Sequence, residues 1–85
     1  MSEKDMLRLI EAYISISNLN NTIIKLTNGY GISGEDFDGV YKIYDVIYDN
    51  SKYAGREDDQ ALDEFRAIMN GIGLSAEERY RLLIE

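Results

Sequence analysis

Apolar residues recur every three or four positions along most of the chain, which is the spacing that places side chains on one face of an α-helix. In residues 34–50 the apolar face comprises Phe37, Val40, Tyr41, Tyr44, Ile47 and Tyr48. In residues 57–69 the inward-facing set comprises Asp58, Ala61, Leu62, Phe65, Ile68 and Met69. Residues 76–84 offer a shorter set, Ala76, Tyr80, Leu83 and Ile84. The pattern predicts three amphipathic helices.

The first segment, residues 3–27, carries apolar residues on two faces. One face holds Met6, Leu9, Ile10, Tyr13, Ile14 and Ile16, whereas Leu19, Ile23 and Leu26 lie about 100° or more around the same helix. Apart from Leu19, residues 17–22 are polar and rank low in helix propensity. We interpret the segment as one long helix, because it contains no Gly or Pro to kink it. A kink near residues 17–22 and a β-strand over residues 22–27 are the alternatives.

Two glycine-containing stretches share one pattern, NGYGISGE at residues 28–35 and NGIGLSAE at residues 70–77. The first glycine of each, Gly29 or Gly71, is expected to end a helix in the left-handed conformation. The serine, Ser33 or Ser75, is expected to cap the next helix, with an acidic residue three positions later completing a capping box. These signals predict one all-α domain over residues 1–85, a bundle of four helices at approximately 3–27, 34–50, 57–69 and 76–84.

The composition argues against catalysis and metal binding. The chain of 85 residues has no cysteine and no histidine, which excludes disulfides, thiolate or imidazole metal sites and the commonest general base. An EF-hand ending at Glu35 fails, because Ile24 and Leu26 would occupy ligand positions. A loop over residues 49–60 has Ala54 in place of the required glycine. We therefore predict a non-enzymatic protein without a cofactor or metal ion.

The negative charge is regional. Residues 35–64 hold ten acidic and three basic residues, which accounts for the whole net charge of −7, and both ends of the chain are neutral. Direct binding to nucleic acid or to an anionic membrane is disfavoured, because both require clustered Lys and Arg. No apolar run approaches the roughly 18 residues needed to span a bilayer, and the N-terminus lacks a signal-peptide pattern. We therefore expect a cytoplasmic protein whose partner is a basic surface of another protein.

The leading functional hypothesis is a protein-binding module that docks through this acidic region. Such a protein could be a small inhibitor or regulator of the kind that phages and mobile elements carry, including one that imitates the charge spacing of nucleic acid. The competing interpretation is that the charge only keeps a small protein in solution. The candidate acidic face comprises Glu35, Asp38, Asp45, Asp49, Asp59 and Asp63.

The seven tyrosines provide a second set of candidates. Tyrosine suits either the rim of a core or a protein contact, because its ring is apolar and its hydroxyl needs a partner. The residues concerned are Tyr41, Tyr44, Tyr48 and Tyr53.

The small size and the two-faced first helix predict a homodimer or larger assembly. The contact would involve Leu19, Ile23 and Leu26. A self-assembling structural subunit is therefore one alternative function. Another is a binder of a small anionic ligand such as a nucleotide between subunits, with tyrosines and either Arg56 or Arg66 providing the contacts.

Overall fold

Four α-helices form the described part of the chain: α1 Glu3–Thr27, α2 Gly34–Asp49, α3 Asp59–Met69 and α4 Ala76–Ile84. A computed structural model describes residues 1–27 and 34–85, with side chains for residues 1–19 and 39–85. The predicted all-α fold with four helices is confirmed, and each helix begins and ends within two residues of the predicted position.

Helix α1 runs without interruption from Glu3 to Thr27, so the alternative of a β-strand over residues 22–27 is wrong. Its first half is fixed by the buried side chains of Met6, Ile10 and Tyr13. Once such a start exists, each further residue adds one backbone hydrogen bond at little additional cost in entropy. The polar residues 17–22 therefore remain helical despite their low propensity.

The starts of α3 and α4 depend on side-chain caps. Ser75 accepts a hydrogen bond from the Glu78 backbone N–H at 3.2 Å, and the Glu78 carboxylate accepts one from the Ser75 N–H at 3.4 Å, so the predicted capping box is confirmed. Asp58 was expected on the inward face of a helix beginning at residue 57, and this is wrong. It is the N-cap of α3, and its carboxylate accepts the Ala61 N–H at 3.1 Å.

The joint between α3 and α4 turns at a different glycine from the one predicted. Gly73, with φ of 86°, adopts the left-handed conformation, and Gly71 does not. The reason is that Gly71 still donates its N–H to the Ile68 carbonyl at 3.3 Å, which extends the helical hydrogen bonding past Met69 and moves the reversal two residues onward. The corresponding joint with Gly29 and Ser33 lies outside the described residues.

The core lies where all four helices meet. Helix α1 packs against α2 and α4, and α3 packs against α4. The turn after α2 is tied to the end of α4, because the Lys52 N–H donates to the Leu83 carbonyl at 2.7 Å. None of the described helices combines the length and apolarity that crossing a bilayer requires. The buried apolar side chains are Met6, Ile10, Tyr13, Ile47, Tyr53, Ala61, Phe65, Met69, Ala76 and Leu83.

Candidate functional site

The exposed face of α2 mixes acidic and apolar side chains. Asp45 and Asp49 lie on this face one turn apart and are exposed, as expected from the sequence. Tyr41 lies one turn before Asp45, and 53% of its surface is exposed. Val46 is a further exposed apolar residue, on the side of Asp45 and Asp49 opposite to Tyr41. The side chains of Glu35 and Asp38, which were predicted to continue this face, lie outside the described residues.

The exposed face of α3 carries the other two predicted acids. Asp59 and Asp63 are exposed and lie on one stripe with Arg66 and Asn70, because spacings of three and four residues share a helix face. Arg66 therefore stands one turn from Asp63. Together, the exposed residues of α2 and α3 whose side chains are described include these four acids and Glu64 against two bases, Lys42 and Arg66.

One acid of the region, Asp58, forms a salt bridge. The Arg56 guanidinium contacts the Asp58 carboxylate at 2.9 Å, the single salt bridge among the described residues. The hydrogen bond from Arg56 lowers the pKa of Asp58, and the same bond raises the pKa of Arg56. Within the described part of the chain, the carboxylates of Asp45, Asp49, Asp59 and Asp63 form no salt bridge.

Three of the four candidate tyrosines surround Phe65. The ring centroids of Tyr44, Tyr48 and Tyr53 lie 4.8, 4.9 and 6.1 Å from that of Phe65, all in edge-to-face arrangements. These rings join α2 and the turn after it to α3, which is the arrangement that aromatic pairs favour. Because they contribute to the core, Tyr41 is the candidate with the most surface to offer a partner.

The hydroxyls of the packed tyrosines are satisfied locally. Tyr48 donates to the Arg56 carbonyl oxygen. Tyr53, which is only 3% exposed, donates to the Glu64 carboxylate, and burial followed by the Glu64 charge raises the pKa of Tyr53. A role for Tyr53 in direct partner contact is therefore disfavoured by its position.

A pocket of about 350 Å³ opens between α1, α2 and α3. We call it the tyrosine pocket. The rings of Tyr13 and Tyr44 lie in its wall, with centroids 5.9 Å apart and planes inclined by 47°. The Tyr13 hydroxyl donates to the Asn70 side-chain oxygen at 3.0 Å, and Arg66 and the Tyr44 hydroxyl share a hydrogen bond. Among the described residues, the lining is Tyr13, Val40, Tyr41, Tyr44, Arg66 and Asn70.

The chemistry of this pocket is suited to binding. Burial raises the pKa of Tyr13 and that of Tyr44, so both phenols are neutral at physiological pH. Neutral phenol rings, a guanidinium and an amide provide aromatic faces and hydrogen bonds. None of these lining groups is a general base at neutral pH. Elsewhere among the described residues, no three acidic side chains lie close enough together to hold a metal ion.

A second cavity, of about 610 Å³, lies between the middle of α1 and the α3–α4 joint. Arg79 lines it and is 93% buried, but its two terminal nitrogens donate to the Met69 and Gly71 carbonyls at 2.7 and 2.8 Å. These carbonyls belong to the end of α3 and the residues just beyond it, where helices present unpaired acceptors. Arg79 therefore has a structural role as a cap for α3.

The remaining candidates are only partly described. Leu19 is 58% exposed, as its predicted place in a self-association surface requires, whereas the side chains of Ile23 and Leu26 lie outside the described residues. Arg56 lies over the Tyr53 ring with its guanidinium carbon 5.9 Å from the centroid, so it is committed both to that ring and to Asp58. Of the two arginines proposed for ligand contact, Arg66 is the one in the tyrosine pocket.

Sequence reasoning identified Tyr41, Tyr44 and Arg66 but missed Tyr13 and Asn70 as members of one site. Tyr13 is buried on α1, as its periodic position indicated, whereas Asn70 is the exposed C-cap residue of α3. The pocket forms only when those two helices are brought together, so no local pattern signals it. Comparisons with protein-family models, with curated proteins and with solved structures found no match for the chain.

Proposed function

We propose that this protein is a non-enzymatic binding module that docks on a basic surface of a larger protein through the exposed faces of α2 and α3. The supporting observation is that Asp45, Asp49, Asp59 and Asp63 are all exposed and form no salt bridge with the described residues. A surface on which charges of one sign predominate accelerates association with an oppositely charged partner and favours that partner over other proteins.

Exposed apolar surface within the acidic region strengthens this proposal. Tyr41 and Val46 are exposed and flank the Asp45–Asp49 stripe on its two sides, because the 3.6-residue turn places them about 140° apart around α2. Interfaces typically combine a few aromatic or apolar anchors with a charged rim, whereas a face that only solubilises the protein has no need of the anchors. Such docking would block the basic surface of the partner. If that surface binds nucleic acid, the docked protein would compete with the nucleic acid for it.

The test is capture of partners from the native lysate by two tagged variants of equal net charge. In the first, Asp45, Asp49, Asp59 and Asp63 are replaced by lysine. In the second, four acids outside the region are replaced by lysine: Glu3, Glu11, Glu77 and Glu85. Each replacement adds two positive charges, so four of them shift the net charge from −7 to +1 in both variants.

We expect the wild type and the second variant to retain one basic partner that moderate salt releases, and the first variant to lose it. Circular dichroism of both variants checks that helicity is preserved. Equal capture by both variants would show that the α2 and α3 acids do not direct binding. The self-assembling alternative would be favoured if only copies of the protein itself were recovered. Their assembled mass should then be a multiple of 9.7 kDa, and substitution of Leu19 should reduce it.

A further inference from the structure

We propose that the tyrosine pocket receives an aromatic side chain of the partner that is flanked by lysine or arginine residues. This inference rests on the proposed function and adds the partner's chemistry to it. The pocket has the size and lining of a site for one large side chain, with about 350 Å³ of space between three helices. Burial of an aromatic residue in a pocket of this kind is how interfaces concentrate their binding energy.

The lining groups favour an aromatic occupant. An entering ring would meet the rings of Tyr13 and Tyr44, whose planes are inclined at 47° to each other, so it could pack against the face of one and the edge of the other. Arg66 would lie against the ring as a cation–π partner, and Val40 provides apolar contact. A lysine or arginine side chain in the same position would meet the positive charge of Arg66, which opposes its entry.

The surroundings of the pocket favour basic residues on either side of that ring. On α2, Asp45 lies one turn beyond the lining residue Tyr41, and on α3, Asp63 lies one turn before the lining residue Arg66. Both acids are exposed. An extended peptide with its ring in the pocket therefore places its neighbouring residues beside carboxylates, where lysine or arginine is complementary in charge.

The absence of tryptophan from the chain provides a direct assay, because a tryptophan in an added peptide reports its own environment. The probe is the peptide Gly-Ser-Lys-Lys-Trp-Lys-Lys-Ser-Gly. Two comparison peptides replace either its tryptophan by alanine or its four lysines by glutamate. Each is titrated into the wild-type protein by calorimetry, and the two tryptophan peptides are also followed by fluorescence.

We expect saturable binding of the lysine–tryptophan peptide with a blue shift of its emission, and binding weaker by about tenfold or more for each comparison peptide. The variant Tyr41→Ala removes a lining ring that is half exposed, so its fold should persist, and it should weaken binding by about tenfold. The matched control is Leu82→Ala, which removes an exposed apolar side chain from α4 outside the pocket lining and should leave binding unchanged.

Several outcomes would overturn the pocket proposal. Equal binding of the alanine peptide would mean that charge alone drives docking, which leaves the proposed function standing. Equal binding of the glutamate peptide, or tight binding of adenosine monophosphate that displaces the probe, would assign the pocket to a different ligand. A dimer that Tyr41→Ala dissociates would assign it to a second copy of the chain. Absence of any peptide binding refutes the pocket alone, because lysate capture tests the acidic faces separately.

Discussion

Arg79 is a charged side chain with 7% of its surface exposed, in a chain where acidic residues outnumber basic ones. Among the described residues no carboxylate pairs with it. It is held instead by the Met69 and Gly71 carbonyl oxygens. This arrangement gives the Met69 carbonyl a donor at the end of α3, and it adds a second donor to the Gly71 carbonyl, which also accepts the Leu74 N–H at 3.3 Å. It also places a positive charge at the negative end of the helix dipole.

Replacement of Arg79 by methionine should therefore destabilise the protein strongly. The change preserves much of the side-chain length but removes both donors. The buried Met69 carbonyl then loses its partner, and the Gly71 carbonyl keeps only the Leu74 N–H at 3.3 Å. We expect the free energy of unfolding to fall by about 3 kcal/mol, measured by urea denaturation. The matched control is Arg81→Met, two residues along α4 at an exposed position, which should change it by less than about 0.5 kcal/mol. Similar losses in both variants would contradict a capping role for Arg79.

At the scale of the elements, glycine has opposite effects at two positions. Gly39 lies within α2, is exposed, and has open space where a Cβ would stand. Gly73 adopts φ of 86° in the joint that leads into α4, a conformation that a residue with a Cβ adopts at a cost. The same substitution should therefore stabilise the protein at one position and destabilise it at the other.

We expect Gly39→Ala to raise the free energy of unfolding by about 0.5–1 kcal/mol and Gly73→Ala to lower it by about 1 kcal/mol or more. Thermal or urea denaturation of the two single variants measures both changes. The double variant should give their sum, because the two sites share no contact. A loss of stability with Gly39→Ala would indicate that position 39 is constrained by more than helix propensity.

The helices were predictable because their signals are local. Periodic apolar residues predicted most of the inward faces of α2, α3 and α4, and the Ser75–Glu78 capping box predicted the start of α4. The pattern was wrong for Tyr41 and Ile84, which are 53% and 43% exposed because they lie at the edges of those faces. Asp58 was misread because an acid directly before an apolar-periodic run fits either the first helical turn or the cap, and only its hydrogen bond to Ala61 distinguishes them. The glycine that reverses the chain was misread for a related reason. Both Gly71 and Gly73 permit the turn, and the last hydrogen bonds of α3 decide between them.

The candidate site was predictable only in part, because it depends on contacts between distant residues. The four described acids were placed correctly on solvent-facing stripes, since amphipathic periodicity determines both faces of a helix. The tyrosine pocket was not predicted, because Tyr13 and Asn70 are 57 positions apart in the chain and meet through a tertiary hydrogen bond. Sequence periodicity indicates which face is buried, but not which side chains leave a space between them.

At the scale of the whole molecule, the tyrosines connect stability to pH. Burial is the largest cause that raises the pKa of Tyr13, Tyr44 and Tyr53 above the ordinary value of 10.0. A group whose pKa is higher in the folded state stabilises that state fully below its unfolded pKa. The stabilisation is lost as the pH rises through the folded pKa. These three tyrosines, of which Tyr13 and Tyr53 are buried and Tyr44 is partly buried, should therefore set an alkaline limit to the fold.

We expect the helical circular dichroism signal to disappear cooperatively above pH 10. Part of the rise in tyrosinate absorbance should be delayed until the same pH. The denaturant-unfolded chain, in which all seven tyrosines should titrate together, is the reference. Repulsion among negative charges also grows with pH in this acidic protein, and high salt separates the two causes because it screens surface repulsion but not the cost of ionising a buried phenol. If high salt abolished the transition, charge repulsion would be its cause. Its persistence in high salt would assign the alkaline limit to the buried tyrosines.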